Sequence, residues 1–261
     1  MRQNRSILIA LLLCALILWV HGMGFHPPES KQDFDISGIL QPGMKMQLVH
    51  APTQVTNLLG NPHDEIRQKA DVAAKNWGNM REQQFIDFVF ILLYWALFVF
   101  VVSACMRESN SGMGRLLGWL VVICITVAAV ADEAEDAAIL HVLQDGTGDF
   151  WPYHYCLTKW GFYFLALGFS SALFLGYPKF GDFGLSKDRS RWRKITGALF
   201  LTGAVLGVSG VLTIVKWQNG FLLSGGQIGQ LGFISLLAFF WDSADSTQSG
   251  KQASSVVTFS R

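Results

Sequence analysis

Charged residues are scarce in this chain. Only 15% of its 261 residues are Asp, Glu, Lys or Arg, whereas soluble domains carry about 25%. The deficit is concentrated in several apolar runs of about 20 residues, which is the length needed to cross a hydrocarbon core of about 30 Å. Such runs cannot supply the polar face of a soluble fold. The sequence therefore predicts an all-α polytopic membrane protein with the lipid bilayer as its solvent.

The chain also lacks a surplus of basic charge, and it lacks paired cysteines. The formal net charge is +1, which gives no reason to expect nucleic acid as a partner. The four cysteines form no C-x-x-C pair, so neither a zinc site nor a disulfide framework is expected. Three of them lie in apolar runs, and Cys156 is predicted to lie in a loop. We therefore expect no metal and no cofactor.

Familiar catalytic signatures are also absent. The sequence contains no G-x-S-x-G, H-E-x-x-H, P-loop or G-x-G-x-x-G motif. Intramembrane zinc hydrolases need several histidines within spans, and only His21 lies near one. No inverted repeat, which marks many transporters, is visible by eye. These absences make an enzyme the least favoured class and weaken the case for a transporter.

Six apolar runs are long enough to cross a membrane, and they predict spans at 6–23, 85–106, 115–138, 158–178, 195–215 and 221–241. The first is ambiguous, because Arg2 and Arg5 before a Leu-rich run also fit a signal peptide. No Ala-x-Ala cleavage site follows, so an uncleaved anchor is favoured; cleavage would leave five spans. The predicted domains are a signal anchor or first span at 1–23, an extracytoplasmic segment with one amphipathic helix at 24–84, a membrane bundle at 85–241 and a disordered cytoplasmic tail at 242–261.

The short loops indicate an orientation. Lys and Arg are retained on the cytoplasmic side of a membrane, and the stretch 177–194, "YPKFGDFGLSKDRSRWRK", carries six of them. With the N-terminus in the cytoplasm, the basic loops and termini all lie inside. The predicted location is the bacterial plasma (inner) membrane.

The outer segment at 24–84 is predicted to be irregular through residue 62 and then helical. Asn61 suits the N-cap and Pro62 the first helical position. The thin apolar face of this helix consists of Ile66, Ala70, Ala73 and Trp77. The helix is therefore expected to rest on the membrane surface or on the bundle.

The stretch "VAAVADEAEDAAILHVL", residues 127–143, places acidic residues directly after an apolar run. On a helix, Asp132, Glu135 and Asp136 lie at i, i+3 and i+4, within an arc of about 100°, and Glu133 points elsewhere. Nothing breaks a helix before Gly146, so this helix is longer than the membrane is thick. The acidic residues are predicted to lie near the outer hydrocarbon boundary.

Two other predicted spans carry polar residues to the same depth. Asp87 and Tyr94 are seven residues apart and share a helix face, and Lys159 lies at the outer end of span four. His154, in the loop before Lys159, is a weaker candidate. Ionisable residues at membrane depth usually face the bundle interior or a wet cavity. Three interpretations stay open for the carboxylates: a functional site that opens to the outside, ion pairs that fasten helices together, and simple solvation at the interface.

The last two predicted spans are rich in glycine. Gly203 and Gly207 are four residues apart, as are Gly225 and Gly229. Small residues at this spacing let membrane helices approach closely. Helix packing is the default interpretation, and a membrane-protein partner or a homo-oligomer through these spans is a further possibility.

Three stretches, "FIDFVFILLYWAL", "AVADEAEDAAIL" and "LTKWGFYFLAL", resemble a family of bacterial multi-pass membrane proteins with no assigned activity. That family has an Asp-Phe-x-Phe-x-x-x-Tyr pattern opening one span, an Asp-x-x-Glu-Asn pattern ending the next and a Lys opening the following one. The resemblance covers roughly residues 54–178 and implies a fold and a site but no reaction. It selects Asp87, Phe88, Phe90, Tyr94, Asp132, Glu135 and Lys159. Asp136 departs from the pattern, which has Asn there.

Three function classes follow. The most favoured is a non-enzymatic membrane protein, such as an accessory subunit, with a structural ion-pair cluster. The alternative is a proton- or cation-coupled transporter that uses Asp132 and Glu135, and the last is a lipid- or envelope-modifying enzyme with a carboxylate base. The candidate site residues are Asp87, Tyr94, Asp132, Glu135, Asp136 and Lys159, with His154 as the weaker one.

Overall fold

The computed structural model describes residues 52–108, 111–145, 152–175 and 187–213, and the single positions 16, 46, 225, 228, 229, 231, 232 and 235. This part of the chain is helical and contains no strand. Its helices are α1 (Pro52–Leu59), α2 (Arg67–Glu108), α3 (Gly112–Asp145), α4 (Pro152–Leu175) and α5 (Lys187–Thr213). The prediction of an all-α fold is confirmed for these residues.

Three of the described helices are long and apolar enough to cross a membrane. The candidate spans are Arg67–Ser103 in α2, Gly112–Gln144 in α3 and Arg191–Leu212 in α5. Each exposes large apolar side chains, among them Leu92 on α2, Trp119 on α3 and Leu212 on α5. Exposed apolar faces on several long helices are what lipid contact requires. A membrane location is therefore supported by structure as well as by composition.

Helix α4 is the central element of the bundle. It packs against α3 on one side and α5 on the other. Its sequence includes buried Lys159, Ser170 and Ser171, and it is not among the three candidate spans.

The helices match four of the six predicted spans in place but not in length. α2 contains 85–106 and α3 contains 115–138, while α4 and α5 begin before the predicted 158 and 195. The predicted first span, last span and tail lie almost wholly outside the described residues. Six spans are therefore neither established nor excluded by the described helices.

Two local predictions in the outer segment were wrong. The stretch before residue 62 is not all irregular, because α1 occupies Pro52–Leu59. The following helix begins at Arg67, not at Pro62. Asn61 does not cap it; the Asn61 side chain accepts a hydrogen bond from the backbone N–H of His63 at 3.0 Å. The Asp64 carboxylate accepts one from Ile66 N–H at 2.9 Å, and α2 starts directly after this second turn.

Helix α1, the N-terminal part of α2 and the C-terminal part of α3 form a separate apolar cluster, here called the outer cap after the side of the membrane predicted for it. Its buried residues are Met46, Val55, Leu58, Leu59, Met80, Ile139, Val142 and Leu143. Two side chains of α2 fix α1 in place, because Asn76 donates to Leu59 O and Trp77 donates to Gly60 O, both at 3.1 Å. Gly60 ends α1 with φ of 88°, a conformation that glycine adopts at little cost. The predicted amphipathic helix is the N-terminal part of α2, whose Ala73 and Trp77 lie against Gly60 at the end of α1.

The glycines of α5 are contact points inside the chain. An added Cβ on Gly225 would lie 2.5 Å from Gly207 N, and one on Gly203 would lie 3.0 Å from Gly225 O. At the other end of α5, the hydroxyls of Thr196 and Ser235 are 2.7 Å apart. The described positions Gly225, Gly232 and Ser235 therefore lie along α5 in the reverse order of its own residues. Helix packing through these glycines is confirmed, and partner binding through them stays a prediction.

Candidate functional site

Three helices bring the predicted polar residues together at one end of the bundle. Helix α2 supplies Asp87 and Tyr94, α3 supplies Asp132, Glu135 and Asp136, and α4 supplies Lys159. We call these six residues the acidic–lysine cluster. They come from three separate predicted spans, and only the packing of α3 against α2 and α4 makes them neighbours.

The acidic residues of α3 follow the helical spacing. Asp132 is 6% exposed, and Glu135 and Asp136 are 0% exposed, whereas Glu133 is exposed. Residues at i, i+3 and i+4 share a face, and here that face is turned toward α2 and α4. The interpretation that these three carboxylates are simply solvated at the interface is therefore wrong.

Lys159 joins α4 to α3 through two ion pairs. Its Nζ lies 2.7 Å from Asp132 Oδ1 and 3.0 Å from Glu135 Oε1. The Lys159 side chain is buried, and Nζ also lies 5.5 Å from the centre of the Trp160 ring. Buried charges are tolerated when they are paired and hydrogen-bonded, so each of these carboxylates has one charged partner.

Tyr94 connects α2 to the same carboxylate. Its hydroxyl donates to Asp132 Oδ2 at 3.0 Å, and its ring packs edge-on against Phe90 with the centroids 5.7 Å apart. The two Asp132 oxygens are thus each engaged once, Oδ1 by Lys159 and Oδ2 by Tyr94. A carboxylate offers about four lone-pair directions, so Asp132 retains capacity for a further partner.

Neither Asp136 nor Asp87 forms an ion pair with a cationic side chain among the described residues. One oxygen each of Asp87, Asp132 and Asp136 can be chosen so that all three atoms lie within 4.8 Å of one another. Neither carboxylate oxygen of Asp136 has a hydrogen-bond partner, and Glu135 Oε2 has none either. The expectation of no metal site rested on the cysteines and histidines; the structure adds a carboxylate group that is chemically suited to a cation.

All of these residues lie near the ends of long apolar stretches. Asp132 is about 26 Å along the axis from Arg115, and Asp87 is about 30 Å from Arg107, at 1.5 Å per residue. Lys159 is about 24 Å from the far end of α4 at Leu175 by the same measure. Because the three distances are similar and close to the thickness of a hydrocarbon core, the cluster lies at a common level, just beneath the outer cap.

The structure does not bring His154 into the cluster. It is exposed in the first turn of α4, and its ring contacts Tyr153 with the centroids 5.6 Å apart. Cys156, predicted to lie in a loop, is instead helical and 1% exposed. Since Pro152 is the first residue of α4, the helix starts one and a half turns earlier than the apolar run indicated.

Sequence reasoning missed three polar residues of α2, one beside the cluster and two at the outer cap. Gln84, one turn before Asp87, is buried, and its side-chain oxygen has no hydrogen-bond partner. Asn76 is buried in the outer cap, and Arg81 donates to the backbone carbonyl of Leu143 near the end of α3. Their helical spacing from Asp87 was the available signal, but it becomes informative only if α2 is known to run unbroken from Arg67.

No protein-family model, curated protein or solved structure matches this chain. The resemblance to a family of bacterial multi-pass membrane proteins therefore stays a prediction.

Proposed function

We propose that this chain is a non-enzymatic, multi-pass membrane protein that binds a cation at its acidic–lysine cluster. The observation that carries the proposal is Asp136. Its carboxylate is 0% exposed, and neither oxygen has a hydrogen-bond partner. Burying an ionised carboxylate without a partner costs several kcal/mol. The ionised Asp136 carboxylate is therefore expected to bind a positively charged ligand.

The charge balance of the cluster supports the same function. Its four carboxylates face one ammonium group, which leaves a formal charge of −3 when all are ionised. Lys159 serves Asp132 and Glu135, so Asp87 and Asp136 have no cationic partner within the cluster. A purely structural ion pair needs only one carboxylate for one lysine, and the surplus acids favour binding.

We further propose that the cluster faces the outside of a bacterial inner membrane, with the N-terminus in the cytoplasm. Arg107 lies at the end of α2 and Arg115 at the start of α3. The first residues of α5 include Lys187, Arg189, Arg191, Arg193 and Lys194. The positive-inside rule assigns this basic end to the cytoplasm. The acidic end and the outer cap then lie on the opposite side.

Two other functions have observations in their favour. A helix-fastening role is supported by the ion pairs of Lys159 with Asp132 and Glu135. A proton- or cation-coupled transporter is supported by the partial exposure of Asp87 beside the buried Asp132 and Asp136. A lipid- or envelope-modifying enzyme has no comparable support, because no nucleophile and base are paired among the described cluster residues.

The proposal is tested by thermal unfolding of the full chain in lipid nanodiscs, first with a chelator and then with Na⁺, K⁺, Mg²⁺ or Ca²⁺ at equal ionic strength. A ligand at 100 times its Kd stabilises a protein by about 2.7 kcal/mol. For a chain of this size we expect a rise in Tm of about 5–10 °C with at least one cation.

The variant Asp136→Asn is expected to lose this rise, and Glu133→Gln is the matched control because Glu133 is exposed on the same helix. If no cation stabilises the wild type more than Asp136→Asn, the cluster is not a binding site. The helix-fastening role would then be the better account.

A further inference from the structure

The spacing of the carboxylates at the α2–α3 contact defines what kind of cation fits. Three oxygens that lie within 4.8 Å of one another are at most about 2.8 Å from a common central point. Calcium–oxygen distances are about 2.3–2.6 Å, and magnesium requires about 2.0–2.1 Å in strict octahedral geometry. The three oxygens can therefore reach a cation of either size with an inward movement of at most about 0.7 Å. Magnesium gives up its bound waters reluctantly, so a site of three largely buried carboxylates favours calcium.

We propose that Asp87, Asp132 and Asp136 bind one divalent cation of calcium size. The inference rests on the proposed function, since it names the ligand and the ligand-binding residues of the same cluster. Carboxylate oxygens are the preferred ligands of such hard cations, and Asp87 is the least buried of the three.

A shared proton is a less satisfactory partner for Asp136 than a metal ion. A carboxyl group that shares a proton with a carboxylate forms an O–H···O contact of about 2.5–2.7 Å. Asp136 makes no hydrogen bond to Asp87, Asp132 or any other described residue. The oxygens are therefore spaced as ligands around a common centre rather than as a hydrogen-bonded pair.

Lys159 and Tyr94 hold the central ligand in position. They engage different oxygens of Asp132, and Lys159 also binds Glu135. Lys159 thereby joins Asp132 to Glu135, and Asp132 keeps lone pairs for a metal that it would share with Asp87 and Asp136. With a divalent ion bound, the formal charge of the cluster falls from −3 to −1.

The test is equilibrium binding of radioactive calcium to the full chain in nanodiscs of uncharged lipid. We expect one calcium ion per chain, with Mg²⁺ competing at least about 10-fold more weakly. Loss of an outer-shell group costs 10–100-fold in metal affinity, so loss of a direct ligand in Asp136→Asn or Asp87→Asn is expected to cost about 100-fold or more. Glu133→Gln is expected to bind like the wild type.

A second measurement needs no variant. Terbium is a calcium-sized ion with the same oxygen ligands, and its emission is sensitised by nearby aromatic rings. Bound beside Tyr94 and Trp160, it is expected to emit on tryptophan or tyrosine excitation and to be displaced by calcium but not by sodium.

The possible outcomes distinguish failure of the calcium site from failure of the proposed cation-binding function. Calcium binding that is unchanged in Asp136→Asn, or terbium emission that calcium does not displace, overturns this site. Stabilisation by Na⁺ or K⁺ without calcium binding also overturns it but leaves the proposed function standing. If no cation binds, both are overturned.

Discussion

Replacing Lys159 with methionine is the most informative perturbation of the bundle. Methionine keeps much of the side-chain volume but removes both ion pairs, at 2.7 Å to Asp132 and 3.0 Å to Glu135. Hydrogen bonds to charged groups contribute about 1.5–3 kcal/mol each. Removing one partner of a buried ion pair costs about 3–5 kcal/mol. Because all three residues are buried, we expect Lys159→Met to lower the free energy of unfolding by about 3–5 kcal/mol.

The assay is reversible unfolding of the full chain in mixed micelles, with a chelator present so that metal binding does not compensate for the lost ammonium. Lys194→Met is the matched control, because Lys194 is exposed on α5 and its loss is expected to cost less than about 1 kcal/mol. A double-mutant cycle with Glu135→Gln then measures the coupling. We expect the double variant to regain part of the loss, since one buried charge has been removed from each side.

A loss below about 1 kcal/mol for Lys159→Met would refute this reasoning, because exposed ion pairs have that magnitude. The same conclusion would follow if the Glu135→Gln and Lys159→Met effects were simply additive. Either result would mean that water reaches the ion pairs and that the three helices are held by apolar packing alone.

Two further substitutions test other contacts by the same unfolding assay. Gly207→Ala places a Cβ 2.1 Å from the Phe164 ring and is expected to lower the free energy of unfolding by about 1–3 kcal/mol. The control Gly161→Ala, whose Cβ would have no atom within 4 Å, is expected to be neutral or stabilising. Equal effects of the two substitutions would contradict close packing of α4 on α5. Tyr94→Phe removes the 3.0 Å hydrogen bond to Asp132 and is expected to lower the free energy of unfolding by about 1.5–3 kcal/mol. An unchanged stability would show that water replaces the hydroxyl.

The features of the fold that the sequence predicts correctly depend on residue patterns within a single helix. Apolar run length predicted α2, α3 and α5 as membrane helices, and i, i+3, i+4 spacing predicted that Asp132, Glu135 and Asp136 share a face. Both rules depend only on helix geometry. The burial of these acids, by contrast, depends on which neighbour covers the face. Sequence spacing left that open, and the packing of α2 and α4 against α3 decides it.

The two helices that were predicted to start too late, α2 and α4, share one physical origin of the error. The predicted starts at residues 85 and 158 were placed where apolar residues begin, but a helix continues into water as long as its backbone hydrogen bonds are made. α2 therefore runs from Arg67, and α4 starts at Pro152 and takes Cys156 out of the predicted loop. The contact of α1 with α2 rests on single hydrogen bonds from Asn76 and Trp77 to backbone carbonyls. No periodic pattern in the sequence signals such bonds.

The order of the helices along the chain has a consequence for how the protein enters the membrane. Placing a lysine at the centre of a membrane helix costs about 2.5–3.5 kcal/mol during insertion, and Lys159, which lies toward one end of α4, costs part of this. Its counter-charges, Asp132 and Glu135, are on α3 and leave the ribosome first. Only residues 146–151 separate the two helices, so α3 and α4 are able to insert together as a hairpin that is already paired. The ion pairs that join the finished helices would in that way also assist the biogenesis of α4, which would be poorly inserted if it were synthesised without α3.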